Sequence, residues 1–159
     1  MMKTSLKTGL SFGLTSGVIT TLGLMVGLHS GTHSRTVVIG GIVTIAVADA
    51  LSDALGIHIA EESRNNGVVS EIWESTIATF AVKFLIAMTF VAPVLLLSLG
   101  EAMVVSVVWG LMLLVGLSYF LALAQQIPAW KVIAEHVVIG VSVIAITHYV
   151  GGWIHSALG

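Results

Sequence analysis

Five long apolar runs decide what this chain can fold into. They cover residues 8–28, 36–60, 76–99, 102–124 and 131–154, and each reaches the roughly 20 residues an α-helix needs to cross bilayer hydrocarbon. Transmembrane strands alternate over about ten residues; these runs are longer and do not alternate. Of 159 residues, 6 are Lys or Arg and 8 are Asp or Glu, so 9% are charged, against about 25% in a soluble domain. So few charges cannot cover a water-facing surface. The composition excludes a soluble globule, a disordered chain and a basic nucleic-acid binder. The absence of cysteine removes disulfides, thiolate zinc sites and thiol nucleophiles. The prediction is an all-α integral membrane protein with five transmembrane helices.

The breaks between the runs are polar. His29 to Arg35 forms a turn, 61–75 a longer acidic loop, Ser98 to Glu101 a tight turn, and Pro128 stops the fourth helix. With the N-terminus in the cytoplasm, Lys3, Lys7, Arg64 and Lys131 fall inside and Arg35 outside, the asymmetry that sets orientation. Five spans then put the C-terminus outside. Lys residues before an apolar run also suggest a signal peptide, but the run is too long for one and no Ala-x-Ala-like site follows. Residues 1–159 read as a single transmembrane domain, with the lipid of a cell membrane as surroundings and no nucleic-acid partner.

Polar residues inside the spans mark candidate sites. Gly9, Gly13, Ser16, Thr20, Gly23 and Gly27 lie within about 40° of one line along helix one, and Gly9, Gly13 and Gly17 form a tandem small-xxx-small motif. Such stripes allow close helix approach in lipid. The partner is either a neighbouring helix or the same helix of a second copy; in the second case Ser16 and Thr20 line a path between protomers. Helix two carries Asp49 and Asp53 one turn apart, with Ser52 on the same broad face. Carboxylates at bilayer depth are expensive, and a cation path accounts for them. Their oxygens suit hard divalent ions, and an added His suits Fe²⁺ or Zn²⁺. The bland alternative is hydroxyl partners, or a pair with Lys83 of helix three. His58 follows about 140° off that face, just before Glu61 and Glu62, which would gather ions at the inner mouth or simply solvate the helix end.

Lys83 reads as lying two turns into helix three, within snorkelling reach of the interface, and a structural pair with Glu135 is an equally open reading. His29, His33, His148 and His155 fall in the outer half, as metal receivers, pH sensors or scattered interfacial side chains. Pro93 predicts a kink. No nucleophile elbow, phosphate-cradling loop or His-Glu-x-x-His pair occurs, so no enzyme is expected.

Two segments carry a family likeness. Phe12-Gly13-Leu14-Thr15-Ser16-Gly17-Val18-Ile19-Thr20-Thr21-Leu22-Gly23 resembles the first-helix signature of the vacuolar iron transporter family. Ala50-Leu51-Ser52-Asp53-Ala54-Leu55-Gly56-Ile57-His58-Ile59-Ala60-Glu61-Glu62-Ser63 resembles its second-helix signature. The Pro93 segment and the Gly140 to Gly151 stretch fit too. The resemblance implies a five-helix protomer with a cytoplasmic N-terminus, and a homodimer through helix one. It also implies proton-coupled export of Fe²⁺ or Mn²⁺ as transported substrate, without a permanently bound cofactor. Ser16 stands where the family carries Asp, Asp53 where it carries Met, and Ile57 and His58 at its acidic and aromatic positions. The helical metal-binding domain of longer members is reduced to the fifteen-residue loop 61–75. Exchanging Met for carboxylate replaces a soft ligand with a hard one.

The expected function is a divalent-metal transporter. Its metal-handling residues are Asp49, Asp53, His58, Glu61 and Glu62, and its path is lined by Ser16, Thr20 and Ser52. Its dimer seam is made by Gly9, Gly13, Gly17, Gly23 and Gly27. The competing expectations are a passive cation channel of the same architecture and a non-transporting assembly subunit.

Overall fold

A computed structural model describes residues 4–64 and 68–158. The helices are α1 (Thr4–Thr32), α2 (Arg35–Arg64), α3 (Val69–Thr89), α4 (Val91–Leu96), α5 (Leu99–Gln125) and α6 (Ala129–Leu158). No strand occurs among the described residues. Five spans are long and apolar enough to cross a membrane, α3 and α4 together making the third. The chain is therefore an all-α membrane protein, as the apolar runs require. Lys3, used in the orientation count, lies outside the described residues.

The helices outrun their apolar cores. α2 and α6 have 30 residues each, about 45 Å at helical rise, against roughly 30 Å of hydrocarbon. Nothing in a polar flank rich in Glu, Ser and Arg stops a helix once it is nucleated. This corrects two expected loops. Glu61 and Glu62 belong to α2, and Glu71 and Glu74 to α3, so the acidic segment 61–75 is mostly helical; its residues 65–67 lie outside the described residues. The turn expected from His29 to Arg35 shrinks to His33 and Ser34, with His33 in the left-handed region at φ 50°.

Pro93 acts as expected. It has no N–H to offer the carbonyl four residues back, and the helix breaks at Phe90, whose N–H bonds Ala87 O at 3.1 Å. The expected turn 98–101 is instead the start of α5. Ser98 and Glu101 form a reciprocal capping box there, with Ser98 N donating to Glu101 Oε2 at 3.2 Å. Gln126 closes α5 in the left-handed conformation ahead of Pro128.

α1 is the central helix and packs against α2, α3, α5 and α6. Its glycines set how closely. A Cβ on Gly9 would collide with the Ser75 carbonyl, and one on Gly13 would sit 2.8 Å from Thr79 O. At Gly17 it would come within 3.3 Å of Lys83 Cα. The upper glycines face α6: Gly23 meets Val143, and Gly27 meets Thr147. Within the chain, Gly9, Gly13 and Gly17 are therefore buried against α3, while Gly23 and Gly27 face α6 and line an open groove beside it. Around them lies the apolar core of Val18, Leu22, Met25, Val38, Ile42, Phe90, Val94 and Leu114.

Candidate functional site

The close α1–α3 approach brings polar groups together inside the bundle. On α2, Val38, Ile42, Ala46, Ala50 and Ala54 form the buried ladder. Asp49 and Asp53 each sit one residue before a rung, at the ladder's edge. On α3 the buried ladder is Ser75, Thr79, Lys83 and Ala87, so the one long side chain on a stripe of small residues points inward. Lys83 is fourteen residues into α3, about 21 Å from its start, near the middle of the Val69–Leu96 span. Its side chain is 2% exposed, against 28% for Asp49 and 22% for Asp53.

Lys83 Nζ donates to Ser16 Oγ at 2.8 Å and to Asp53 Oδ2. Ser16 Oγ in turn donates to Asp53 Oδ2 at 2.6 Å. Asp49 Oδ2 lies 2.5 Å from Nζ, but the angle is wrong for a hydrogen bond, and that oxygen has no other partner. Asp53 is thus held by two aligned donors, while Asp49 is held by charge alone. With both carboxylates ionised and Lys83 protonated, the cluster carries one net negative charge. Asp49 also borders an open groove between α1 and α2, of about 430 Å³, lined by Leu24, Leu28, Gly41 and Ile45.

The geometry changes two expectations about Lys83. It does not snorkel, and it does not pair with Glu135, which is exposed on α6. Beginning the third span at residue 76 made Lys83 look shallow; α3 begins seven residues earlier. The Ser75, Thr79, Lys83 and Ala87 spacing was the signal that places it on the packed face.

The other expected site residues stand apart from the cluster. Thr20 Oγ1 donates to Ser16 O of its own helix at 2.8 Å, and Ser52 lies on the exposed face of α2. His58 Nδ1 meets Thr76 Oγ1 at 3.0 Å, and its ring stands edge-on to Trp73 at 4.9 Å between centroids. Thr76 Oγ1 already donates to Ile72 O, so His58 carries its proton on Nδ1 and leaves Nε2 as an acceptor. Glu61 is buried and accepts from Arg64 Nη1 at 3.0 Å, while Glu62 is exposed. Asp49, Asp53, His58, Glu61 and Glu62 do not converge. Among the described residues, no group of three His, Asp or Glu is arranged to hold a metal ion.

What the cluster can do follows from its parts. Two carboxylates and a hydroxyl make a hard-oxygen set, and the Lys83 ammonium occupies it. Comparison with known protein families finds no matching family profile, and none of the curated proteins matches the sequence.

Proposed function

We propose that this chain is a membrane transporter that exchanges a divalent cation for a proton at the Ser16, Asp49, Asp53 and Lys83 cluster. The observation that carries the reading is a lysine 2% exposed near mid-span, with its ammonium between two carboxylates. Ionisable groups at such depth mark ion or proton pathways. In the exchange, an entering divalent ion takes the oxygens of Asp49, Asp53 and Ser16, and Lys83 gives up one proton to become the neutral amine. That proton leaves to the side from which the ion came, and a proton taken up from the other side re-forms the ammonium and expels the ion there. One ammonium therefore ensures that metal and proton do not share the site. Fe²⁺ and Mn²⁺ are the cargo implied by the likeness to the vacuolar iron transporter family.

The test is Fe²⁺ and Mn²⁺ flux into proteoliposomes under an imposed pH gradient. Wild type should show gradient-driven flux, and Asp49→Asn/Asp53→Asn should abolish it. Lys83→Met should leave downhill flux that no longer responds to the gradient. Full flux in the double variant, or none from folded wild-type protein, would overturn the proposal.

A second reading is favoured by the number of partners Lys83 already has: the cluster is a clamp that fixes α1, α2 and α3 in register. Flux decides between the two, because a clamp moves no ion.

A further inference from the structure

At the opposite end of α1 from Thr4, two neighbouring imidazoles, His29 and His33, meet a third, His155, from the far end of the chain. The ring centroids of His29 and His33 are 5.5 Å apart, and those of His33 and His155 are 5.2 Å apart. His33 sits between the other two, on the two-residue turn and in the left-handed backbone region. His155 Nδ1 donates to Gly31 O at 3.1 Å, tying the end of α6 to the end of α1. One α6 turn pair lower, His148 Nδ1 and Ser30 Oγ meet at 2.7 Å. His29 Nδ1 is buried and has no hydrogen-bond partner.

The backbone seam beneath these rings has almost no side chains. A Cβ on Gly31 would sit 3.3 Å from Gly151 O, and one on Gly151 would collide with Gly27 O. Glycine on glycine gives close approach but no interdigitation, so polar side chains supply the fastening. α6 is also the least enclosed span, with only Val132, Gly140 and Gly151 buried. Beside the seam an apolar groove of about 580 Å³ runs between α1, α2 and α6. It extends from Ile154 and Val150 at the imidazole end down to Ile19 and Thr20, and Thr20 is one turn from Ser16.

We propose that His29, His33 and His155 form a proton-operated clasp, which holds the end of α6 against α1 while the rings are neutral and releases it when more than one is protonated, widening the groove that leads toward Thr20. Neutral imidazoles stack edge to face without penalty, whereas imidazolium rings at these spacings repel. The charged neighbours do not relieve that repulsion. From α2, Arg35 donates to Leu97 O at 2.7 Å and adds positive charge to this end. From α5, Glu101 is engaged by Ser98 Oγ at 2.6 Å. From α6, His148 adds another titratable ring. Among the described residues, none of these imidazoles is in ion-pair contact with a carboxylate, and no three converge as metal ligands. Histidine is the side chain whose charge ordinarily changes between pH 5 and 8, so the clasp works across ordinary compartment boundaries.

That the widened groove serves cation passage rests on the proposed function; the clasp itself does not. The chain has no cysteine, so Thr36→Cys on α2 and Ser156→Cys on α6, both exposed, can carry spin labels in the full chain in lipid nanodiscs. Electron–electron distance measurements should give a longer and broader distribution at pH 5 than at pH 8. The shift should vanish in His33→Gln/His155→Gln and persist in His136→Gln, a histidine outside the cluster. Histidine-labelled NMR of the unmutated rings should show stepwise rather than identical titrations. An unchanged distance distribution between the two pH values, a shift that survives the double variant, or three identical single-site titrations would overturn the clasp. Loss of flux with an intact pH-dependent distance change would sink the transport reading and leave the clasp standing.

Discussion

α1 has two halves built on one device and put to different use. From Gly9 to Gly17 its glycines press against α3, and the closest contacts are with the backbone of Ser75, Thr79 and Lys83. From Gly23 to Gly31 they press against α6, where the contacts are with Val143, Thr147 and Gly151. In the first half the close approach delivers a lysine to two carboxylates. In the second it delivers imidazoles to one another and to backbone carbonyls. The lesson is that a small-residue stripe fixes only the distance between two helices. The side chains flanking it decide whether the seam is locked by opposite charge or fastened by groups that change charge with pH.

The strongest way to break the comparison is to remove the lock from the first half. Lys83→Met leaves Asp49 and Asp53 with no opposite charge inside the bundle. Taking one partner from a buried pair destabilises by about 3–5 kcal/mol, and thermal unfolding in detergent should show a loss of that order. Adding Asp53→Asn to Lys83→Met should recover a large part of it, because a carboxylate is removed along with its partner. Additive losses in this double-variant cycle would mean the three groups do not act as a unit.

Ser16→Ala tests the same half more gently. The hydroxyl accepts from Lys83 and donates to Asp53, and hydrogen bonds to charged groups contribute about 1.5–3 kcal/mol. Unfolding should show a loss within that range while the Lys83 and Asp53 contact persists. A neutral result would mean that water replaces the hydroxyl and that the site is open to solvent from the α1–α2 groove.

The sequence made the spans legible because each of the five runs is longer than any soluble core helix requires and no charge interrupts its middle except Asp49, Asp53 and Lys83. The Pro93 break was equally plain, since a missing N–H acts locally. The pairing of Lys83 with Asp49 and Asp53 was legible only as one alternative beside Glu135 and the membrane interface. Hydrophobicity marks where the apolar stretch begins, not where the helix begins, and α3 starts at Val69 rather than at residue 76. That difference of two turns moved Lys83 from an interface to the middle of a span. The glycine stripe was visible, but a stripe does not name its partner: within the chain, α3 and α6 carry Ser75, Thr79, Thr147 and Gly151 at matching positions, and only the packed structure shows that contact. The meeting of His29, His33 and His155 depends on α6 lying beside α1, a long-range fact that no local pattern carries.

Gly9→Ala probes how tightly each half of α1 is closed. The added methyl would run into the Ser75 carbonyl and come within 3.0 Å of Ala78 Cβ. Both are backbone-fixed, so α1 and α3 must separate along the seam that sets Lys83. Overpacking of this kind destabilises by about 1–3 kcal/mol. The variant should lose stability in the same unfolding assay, and the loss should shrink in a Lys83→Met background, where the seam no longer has a charge lock to hold.

Gly27→Ala should have the smallest effect and the opposite sign. Its nearest neighbours, Thr147 O at 3.5 Å and Thr147 Cβ at 3.6 Å, are at ordinary contact distance, so a methyl fits. Alanine in a helix interior is favoured over glycine by about 1 kcal/mol, and Gly27→Ala should leave unfolding unchanged or raise it slightly. The same change across the seam, Gly151→Ala, should destabilise, because its methyl meets the Gly27 carbonyl. The two halves of α1 thus differ in how the glycines are shared: against α3 the tight ones, Gly9 and Gly13, lie on α1, whereas against α6 Gly23 of α1 and Gly151 of α6 are tight and Gly27 is not. If Gly27→Ala proved as damaging as Gly9→Ala, the space seen beside Gly27 would be filled in the membrane, and the stripe on α1 would face something besides α6.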